Sequence, residues 1–325
     1  MIFKTRLFKM LISGLLIIVA GCRSDKIPPD YDLDGVLLYN EIHSNSTQGY
    51  FPDLTAFNPN TGERFLLTRE KLFNVQPSWV ARGDEIIFES KRVRDHGSPS
   101  HLYILNTRTS SITPVHDGMD LNRITGSGLS NRSPAVNNQN NRVYYYRQEC
   151  SCIASTGLDD NSVMELEIKI GTPLRIRWSN DYDYLLVHEM RGRGFNTYTK
   201  FEVYESETYS SVLSSDSLGR SFLPGDIFNG KLLYAAHKTQ GDSIIRLYLL
   251  DLETGDIYEI ANHDRGASLL RNFVDPIFKD ENSIYYLKEV TSNRYEIFEM
   301  DILSGEKTQV TFDNTVKGNL TIYRE

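Results

Sequence analysis

The sequence predicts an all-β protein: a six-bladed β-propeller of four-stranded antiparallel blades. Three observations support this prediction. A unit of about 40–50 residues recurs six times, a period typical of propeller blades. Each copy holds short apolar runs separated by Gly, Asn, Asp, Ser and Thr, which favour tight turns. No stretch with helical periodicity of useful length follows residue 30.

The second strand of each blade is rich in β-branched, aromatic and leucine side chains, as expected for a strand packed between neighbouring sheets. These strands are predicted at residues 35–39, 86–88, 143–145, 185–187, 232–234 and 284–286. Third strands that end in a polar residue before a turn are predicted at 54–58, 102–106, 201–205, 247–251 and 297–301. The third blade is the poorest copy, and its last two strands are predicted at 151–156 and 162–168.

First strands are predicted to begin at prolines, and they are placed at 77–79, 134–136, 173–178, 224–228 and 276–278. The first blade lacks such a strand. Thr68 precedes Pro77 by nine positions, and Thr311 precedes Leu320 by nine. The C-terminal strand at about residues 319–323 is therefore expected to pair with the first blade and close the ring, which removes exposed strand edges. The alternative is a frayed tail.

The N-terminus has the pattern of a secretory signal, with a basic start at Lys4, Arg6 and Lys9 and an apolar run over residues 11–20. The run is short for a membrane span, which needs roughly 20 apolar residues. It ends Val-Ala-Gly-Cys at Cys22, which resembles the lipobox of bacterial lipoproteins. By that resemblance, residues 1–21 are a lipoprotein signal peptide and Cys22 is lipidated. Residues 22–33 are then a tether and residues 34–325 the propeller. The alternative is an uncleaved signal anchor.

Arg23 follows Cys22, where lipoproteins retained in the inner membrane of enterobacteria usually carry Asp. The resemblance thus implies a lipid-anchored protein of the cell envelope, at the outer membrane, on either the periplasmic or the surface side. Removing residues 1–21 would change the formal net charge from −8 to −11. An acidic chain argues against nucleic-acid binding, which relies on neutralising phosphates.

Two cysteines other than Cys22 are present, Cys150 and Cys152. An oxidising envelope favours their pairing. Residues at i and i+2 of an extended strand have Cα atoms about 7 Å apart, so a disulfide would need a turn there. A local disulfide, two free thiols, and a metal or redox role all remain open.

The repeats resemble those of TolB-like propellers, which are built of WD40-like (PD40) repeats. Their blade motif runs roughly Trp-Ser-Pro-Asp-Gly, two variable residues, an apolar pair, an aromatic residue, a variable residue and Ser. One blade matches it at Trp79, Gly83, Ile86, Phe88 and Ser90, and another at Trp178, Ser179 and Asp181. The resemblance covers about residues 34–325 and implies the fold more strongly than any function.

The sequence contains neither the nucleophile motif of serine hydrolases nor the histidine spacing of zinc sites. There is no Gly-x-Ser-x-Gly elbow. The seven histidines show neither the i, i+2 nor the i, i+4 spacing of zinc sites. No metal and no cofactor are therefore expected, and the chain is more consistent with a binding protein than with an enzyme.

One feature favours ligand binding. In a propeller, the loops between second and third strands emerge on one face. Here they are rich in basic residues, which could attract an anionic partner. We call this set the basic rim: Lys91, Arg92, Arg94, His96, Arg147, His188, Arg191, Arg193, His237, Lys238, Lys288 and Arg294. The alternative is ordinary solvated loops.

The function predicted is a lipid-anchored envelope propeller that binds a protein, peptide or glycan without catalysis. An alternative is a carbohydrate-active enzyme, a glycoside hydrolase or polysaccharide lyase, whose acids come from separate blades and so leave no local motif. A third is a structural part of an envelope complex. Converging carboxylates in the channel would favour the enzyme.

Overall fold

The computed structural model describes residues 26–42, 51–70, 72–80, 83–91, 100–115, 130–191, 198–215, 222–237, 245–262 and 273–324. These residues form 24 strands, numbered β1 to β24 along the chain, in six four-stranded antiparallel sheets. The predicted six-bladed propeller is confirmed. Within the described part of the chain, no helix is both long and apolar enough to cross a membrane.

The strands are grouped by their position in a blade, counted outward from the channel. The first strands are β4 (Phe73–Trp79), β8 (Asn131–Asn137), β12 (Thr172–Trp178), β16 (Phe222–Phe228), β20 (Val274–Phe278) and β24 (Val316–Ile322). The second strands are β1 (Leu37–Ile42), β5 (Glu85–Lys91), β9 (Arg142–Arg147), β13 (Tyr184–Arg191), β17 (Lys231–His237) and β21 (Ser283–Thr291).

The third strands are β2 (Asp53–Phe57), β6 (His101–Asn106), β10 (Cys152–Gly157), β14 (Tyr198–Glu205), β18 (Ile245–Asp251) and β22 (Arg294–Asp301). The fourth strands are β3 (Arg64–Leu66), β7 (Ile112–Pro114), β11 (Val163–Lys169), β15 (Ser211–Ser214), β19 (Ile257–Asn262) and β23 (Lys307–Gln309). The expected strands of the third blade match β10 and β11.

The C-terminal strand closes the ring. β24 pairs antiparallel with β1, so the first blade takes its innermost strand from the end of the chain and its other three from the beginning. The backbone N–H of Gly35 also donates to the carbonyl of Tyr323, and that of Tyr323 donates to Val36. The predicted closure is confirmed.

Every first strand carries a β-bulge against its second strand, and Pro77, Pro134 and Pro276 lie within these bulges. The register shifts lie between Val75/Ser78, Arg132/Ala135, Pro173/Arg175, Pro224/Asp226, Val274/Ile277 and, on β1, Leu38/Asn40. The expectation that the first strands begin at prolines was wrong for most blades, because β4 begins four residues before Pro77. Proline lacks the N–H that a regular ladder needs, and a bulge leaves one residue unpaired.

Four bulge residues adopt a left-handed backbone. The φ angles are 53° at Gln76, 56° at Ser133, 49° at Asp275 and 54° at Asn319. Such values are uncommon outside glycine and cost conformational energy. The same unusual geometry therefore recurs around the channel.

The apolar core lies between adjacent blades. One cluster joins the first two blades through Leu38, Trp79 and Phe88. The Trp79 and Tyr323 rings meet edge to face with centroids 5.5 Å apart. Ring closure therefore also buries aromatic surface between the C-terminal segment and the second blade.

The segment 26–34 is packed against the propeller, which differs from the expectation that residues 22–33 form a tether. Ile27 is only 1% exposed and lies in the core cluster of the first two blades. Its backbone N–H donates to the carbonyl of Thr107 at 3.1 Å. Arg108 donates to the carbonyl of Pro28. The Tyr31 ring meets Phe65 edge to face at 5.0 Å.

The two ends of the ring are built from different connections. We call the end formed by the connections from first to second and from third to fourth strands the turn face. The other end, formed by the connections from second to third strands and between blades, is the loop face. Residues 26–34 lie on the turn face, because Thr107 and Arg108 belong to the turn after β6.

Candidate functional site

A cavity of about 470 Å³ occupies the channel. Its walls are the first strands of the blades, including Gln76 of β4, Arg175 and Arg177 of β12, and Asn319 of β24. The lining continues to the turn face, where it includes Asp34, Asn138, Asn180, Tyr182, Lys279 and Asp280. The side chain of Arg324 extends from this face into the channel, to Asp226. The cavity therefore lies on the turn-face side of the channel, away from the basic rim.

Arg175 and Asp275 form an ion pair inside the channel. Arg175 Nη2 lies 3.0 Å from Asp275 Oδ2 and also donates to Asn319 Oδ1 at 3.1 Å. The backbone N–H of Asn319 donates to the same Asp275 oxygen at 2.7 Å. Asp275 and Asn319 are two of the left-handed bulge residues, so the bulges orient the groups of this network.

Arg177 and Arg324 share Asp226. Arg324 Nη2 lies 3.0 Å from Asp226 Oδ2, whereas Arg177 Nη1 lies 3.9 Å from Asp226 Oδ1. Arg177 instead donates to two backbone carbonyls, that of Gly225 at 2.9 Å and that of Leu320. Arg324 also donates to the carbonyl of Phe278. The arginines thus cross-link the first strands of the fourth, fifth and sixth blades to the closing strand.

The pKa values around these groups reflect burial and a positive potential. Burial, reinforced by Arg175, lowers the pKa of Arg177 to about 9. Burial and Arg175 likewise lower the pKa of His188 to about 4, only partly opposed by Asp275. Burial alone would raise the pKa of Asp275, but Arg175 and Arg177 hold it below its ordinary value. Asp275 is therefore ionised and His188 neutral near pH 7.

A belt of amide hydrogen bonds links the connections that surround the cavity. Asn138 Nδ2 donates to Tyr182 Oη at 2.9 Å, which joins the third blade to the fourth. Asn180 Nδ2 donates to Asn229 Oδ1 at 3.0 Å, and Asn229 Nδ2 donates to Glu281 Oε1 at 2.8 Å. These bonds continue to the fifth and sixth blades. The walls of the cavity are therefore held in place without a ligand.

Three residues of the basic rim, Lys91, Arg147 and Arg191, are the last residues of second strands, at the loop face. Arg92, Arg94, His96, Arg193 and Lys238 lie outside the described residues, and only the backbone of His237 is described. Arg147 lies 2.7 Å from Glu149 and 3.2 Å from Glu165. Arg191 pairs with Glu189. These two arginines are neutralised by neighbours, and ligand binding at the rim stays a prediction.

The remaining rim residues lie on or near aromatic rings or inside strands. Lys91 Nζ lies 5.6 Å from the centroid of the Phe73 ring, and Lys288 Nζ lies 5.2 Å from that of Phe298. Arg294 is half-buried at the start of β22. His188 lies within β13 instead of past its end, and it is buried at 9% exposure.

Cys150 and Cys152 are joined by a disulfide across Cα atoms 5.1 Å apart. The turn that this closure requires lies between β9 and β10, where Ser151 has a φ of 50°. Glu165 lies close enough to make the three residues a possible metal group. Because both sulfur atoms are bonded to each other, neither is available as a thiolate ligand. Cys22 lies outside the described residues.

The sequence does not reveal the group of charged residues that lines the channel. Arg175 and Arg177 share β12, but Asp226, Asp275 and Arg324 come from two other blades and from the C-terminal end, so no local spacing unites the whole set. One signal was available. Arg175 and Arg177 alternate with buried Ile176 and Trp178 in a predicted first strand, and polar residues on alternate positions of such a strand face the channel.

No protein-family model and no curated protein matches this chain. Solved structures do match its fold. TolB from Acinetobacter baumannii has a TM-score of 0.63 and 12% sequence identity, over 89% of this chain and 67% of that one. A chain of a nidogen/laminin complex has a TM-score of 0.58 and 10% identity, over 89% and 98%.

A structure from a study of two prolyl endopeptidases has a TM-score of 0.54 and 11% identity, over 91% of this chain and 50% of that one. This chain therefore spans about half of that protein. At such identities the likeness concerns the fold alone. The protein has a six-bladed β-propeller fold that is similar to the fold of TolB.

Proposed function

We propose that this protein is a lipid-anchored, non-catalytic propeller that binds a protein, peptide or glycan partner in the bacterial cell envelope, with the channel cavity as its binding site. The observation that carries the proposal is the cavity itself. It is concave, lined by convergent polar groups, and held open by the amide belt, which are the features of a preformed ligand site.

The state of the channel carboxylates supports binding over hydrolysis. A glycosidase acid needs a raised pKa, whereas Arg175 and Arg177 lower that of Asp275. Asp226 is held by Arg324 and by the backbone N–H of Phe278 at 3.2 Å. Both carboxylates thus support the structure of the channel.

Anchoring by a lipid on Cys22 is supported by the signal pattern and the cysteine that ends it. A chain of similar fold occurs in the nidogen/laminin complex. This likeness supports a macromolecular partner for the present protein. The likeness to TolB supports the propeller as the scaffold of the proposed binding site.

The test blocks the cavity. Thr321 lines it on β24, so Thr321→Trp would fill it, while Thr308→Trp adds the same side chain to an exposed position of the outer strand β23. Peptide and glycan arrays are probed with the full-length protein purified in detergent. The proposal expects ligands that bind wild type and Thr308→Trp but do not bind Thr321→Trp. Ligands that bind all three proteins equally would place the site elsewhere.

The anchor is tested on the same preparations. Mass spectrometry of the N-terminal peptide should find a diacylglyceryl group on Cys22 and residues 1–21 absent. An unmodified residue 22 would overturn the anchoring part of the proposal.

A further inference from the structure

The buried floor of the cavity carries an excess of positive charge. Three guanidinium groups, of Arg175, Arg177 and Arg324, face two carboxylates, of Asp226 and Asp275. Arg175 has its own partner in Asp275. Arg177 and Arg324 share one carboxylate, and the closer of the two is Arg324. Among the described residues, one positive charge is left without a matching carboxylate at contact distance.

The arginines of the floor also have an N–H donor without an acceptor within the described residues. Arg324 Nε is buried and has no hydrogen-bond partner within the described residues. Arg177 makes its two short hydrogen bonds to the carbonyls of Gly225 and Leu320, which carry no net charge. Buried guanidinium groups are stabilised best by a carboxylate or phosphate that accepts two parallel N–H bonds. Burial and, after it, the charge of Arg175 lower the pKa of Arg177.

We infer that the Arg175–Arg177–Arg324 floor binds a single carboxylate of the ligand that enters the cavity. The inference rests on the proposed function and names the ligand chemistry of that site. One carboxylate balances the excess charge, whereas a phosphate dianion would reverse it. Asp34 and Asp280 at the mouth further oppose ligands with several negative charges. The ligand is a monocarboxylate, or a chain end that presents one.

Two substitutions should change the affinity for a carboxylate in opposite directions. Arg177→Gln removes the excess charge and should weaken carboxylate binding on the order of tenfold. Asp226→Asn keeps an acceptor for the N–H of Phe278 but adds a net positive charge, and it should strengthen binding by a similar factor. Arg108→Gln is the control, because Arg108 pairs with Asp84 in a turn and does not line the cavity. Its binding should equal that of wild type.

The probes are N-acetylglycine, its amide and inorganic phosphate, titrated into the full-length protein and followed by calorimetry. The expected result is binding of N-acetylglycine, with loss of binding for the amide and weaker binding of phosphate. Thermal melts establish that each variant is folded. If Arg177→Gln does not fold, Asp226→Asn decides the question, since increased affinity cannot result from unfolding.

Equal binding of N-acetylglycine and its amide, or no gain in Asp226→Asn, would overturn the inference. If Thr321→Trp abolishes binding of a ligand whereas Arg177→Gln and Asp226→Asn leave its affinity unchanged, the proposed function holds and the carboxylate inference fails. If N-acetylglycine binds as expected but Thr321→Trp still binds every array ligand, the carboxylate site holds and the proposed function fails.

Discussion

Lys317 Nζ lies 3.0 Å from Glu296 Oε2, and both side chains are almost fully buried. Lys317 belongs to the closing strand β24, whereas Glu296 belongs to β22 of the sixth blade. Lys317 also donates to Asp313 and to the carbonyl of Tyr295. Asp313 in turn accepts from Arg64 of the first blade. A buried ionic network therefore joins the last blade to the first at the place where the ring closes.

Lys317→Met should lower the free energy of unfolding by about 3–5 kcal/mol, because it leaves Glu296 buried and without its cation. Urea denaturation measures this. Lys317→Met combined with Glu296→Gln should be less destabilising than the sum of the two single changes, because the pair is then neutral. Additive losses would mean that the pair does not stabilise ring closure.

Gly225→Ala should destabilise the protein, because a Cβ there would lie 2.3 Å from the carbonyl oxygen of Pro276 in the next blade. Overpacking of this kind typically costs about 1–3 kcal/mol. Gly318→Ala on another first strand is the matched control, since its nearest contact would be 3.5 Å from Asn40. Comparison of the two melting temperatures checks the prediction. Equal melting temperatures would show that the blades can separate at this bulge.

The pH dependence of stability should include a contribution from His188. Its pKa is lowered to about 4 in the folded protein and is about 6.5 when unfolded. The unfolded chain therefore binds a proton first as the pH falls, so stability is lost between pH 6.5 and pH 4 and this contribution is constant below. The full loss is roughly 3 kcal/mol.

Urea denaturation of wild type and His188→Asn at several pH values would isolate this contribution. The variant should lose less stability across that window. Parallel curves would mean that His188 titrates normally, and an NMR titration of its ring protons would measure its pKa independently.

Reduction of the Cys150–Cys152 disulfide should have a modest effect, because the closed loop is very short. The chain-entropy model gives about 1–2 kcal/mol for a loop of this length. The variant with both cysteines changed to Ser, compared with oxidised wild type in urea, measures it. A loss well above this range would indicate that the disulfide also holds β9 and β10 in register.

The number of blades, the order of strands and ring closure could be predicted from the sequence, because each depends on local patterns that recur. The residues at which the first strands begin could not be predicted. Pro77 and Pro276 resemble strand boundaries in the sequence, but bulges place them inside β4 and β20. A bulge is a relation between two strands, and the sequence of one strand does not reveal it.

The cavity could not be predicted for the same reason. Asp226 and Arg324 are separated by 98 positions, yet they form one ion pair in the channel. The basic rim consists of residues that are near one another in the sequence, whereas the cavity depends on residues that the ring brings together. Packing of Ile27 was missed because a short segment with two prolines resembles a solvated linker.

The packed N-terminal segment leads to the last prediction, which concerns orientation. Ile27 is buried on the turn face, and five residues beyond Cys22 can span at most about 18 Å. If Cys22 carries a lipid, the part of the turn face near the first two blades must lie close to the membrane. Thr109, exposed in the turn after β6, would then lie nearer to it than Glu70, exposed on the loop face.

A fluorophore attached to Thr109→Cys should be quenched by spin-labelled lipid headgroups more strongly than one attached to Glu70→Cys, in full-length protein reconstituted into vesicles. The same labels on a Cys22→Ser protein control for quenching that does not depend on the anchor. Equal quenching at the two sites would mean that Ile27 leaves its pocket in the anchored protein. If Ile27 stays buried, Ile27→Ala should lower the free energy of unfolding by about 2–5 kcal/mol, because it leaves a cavity. If Ile27 leaves its pocket, the substitution should have little effect on stability.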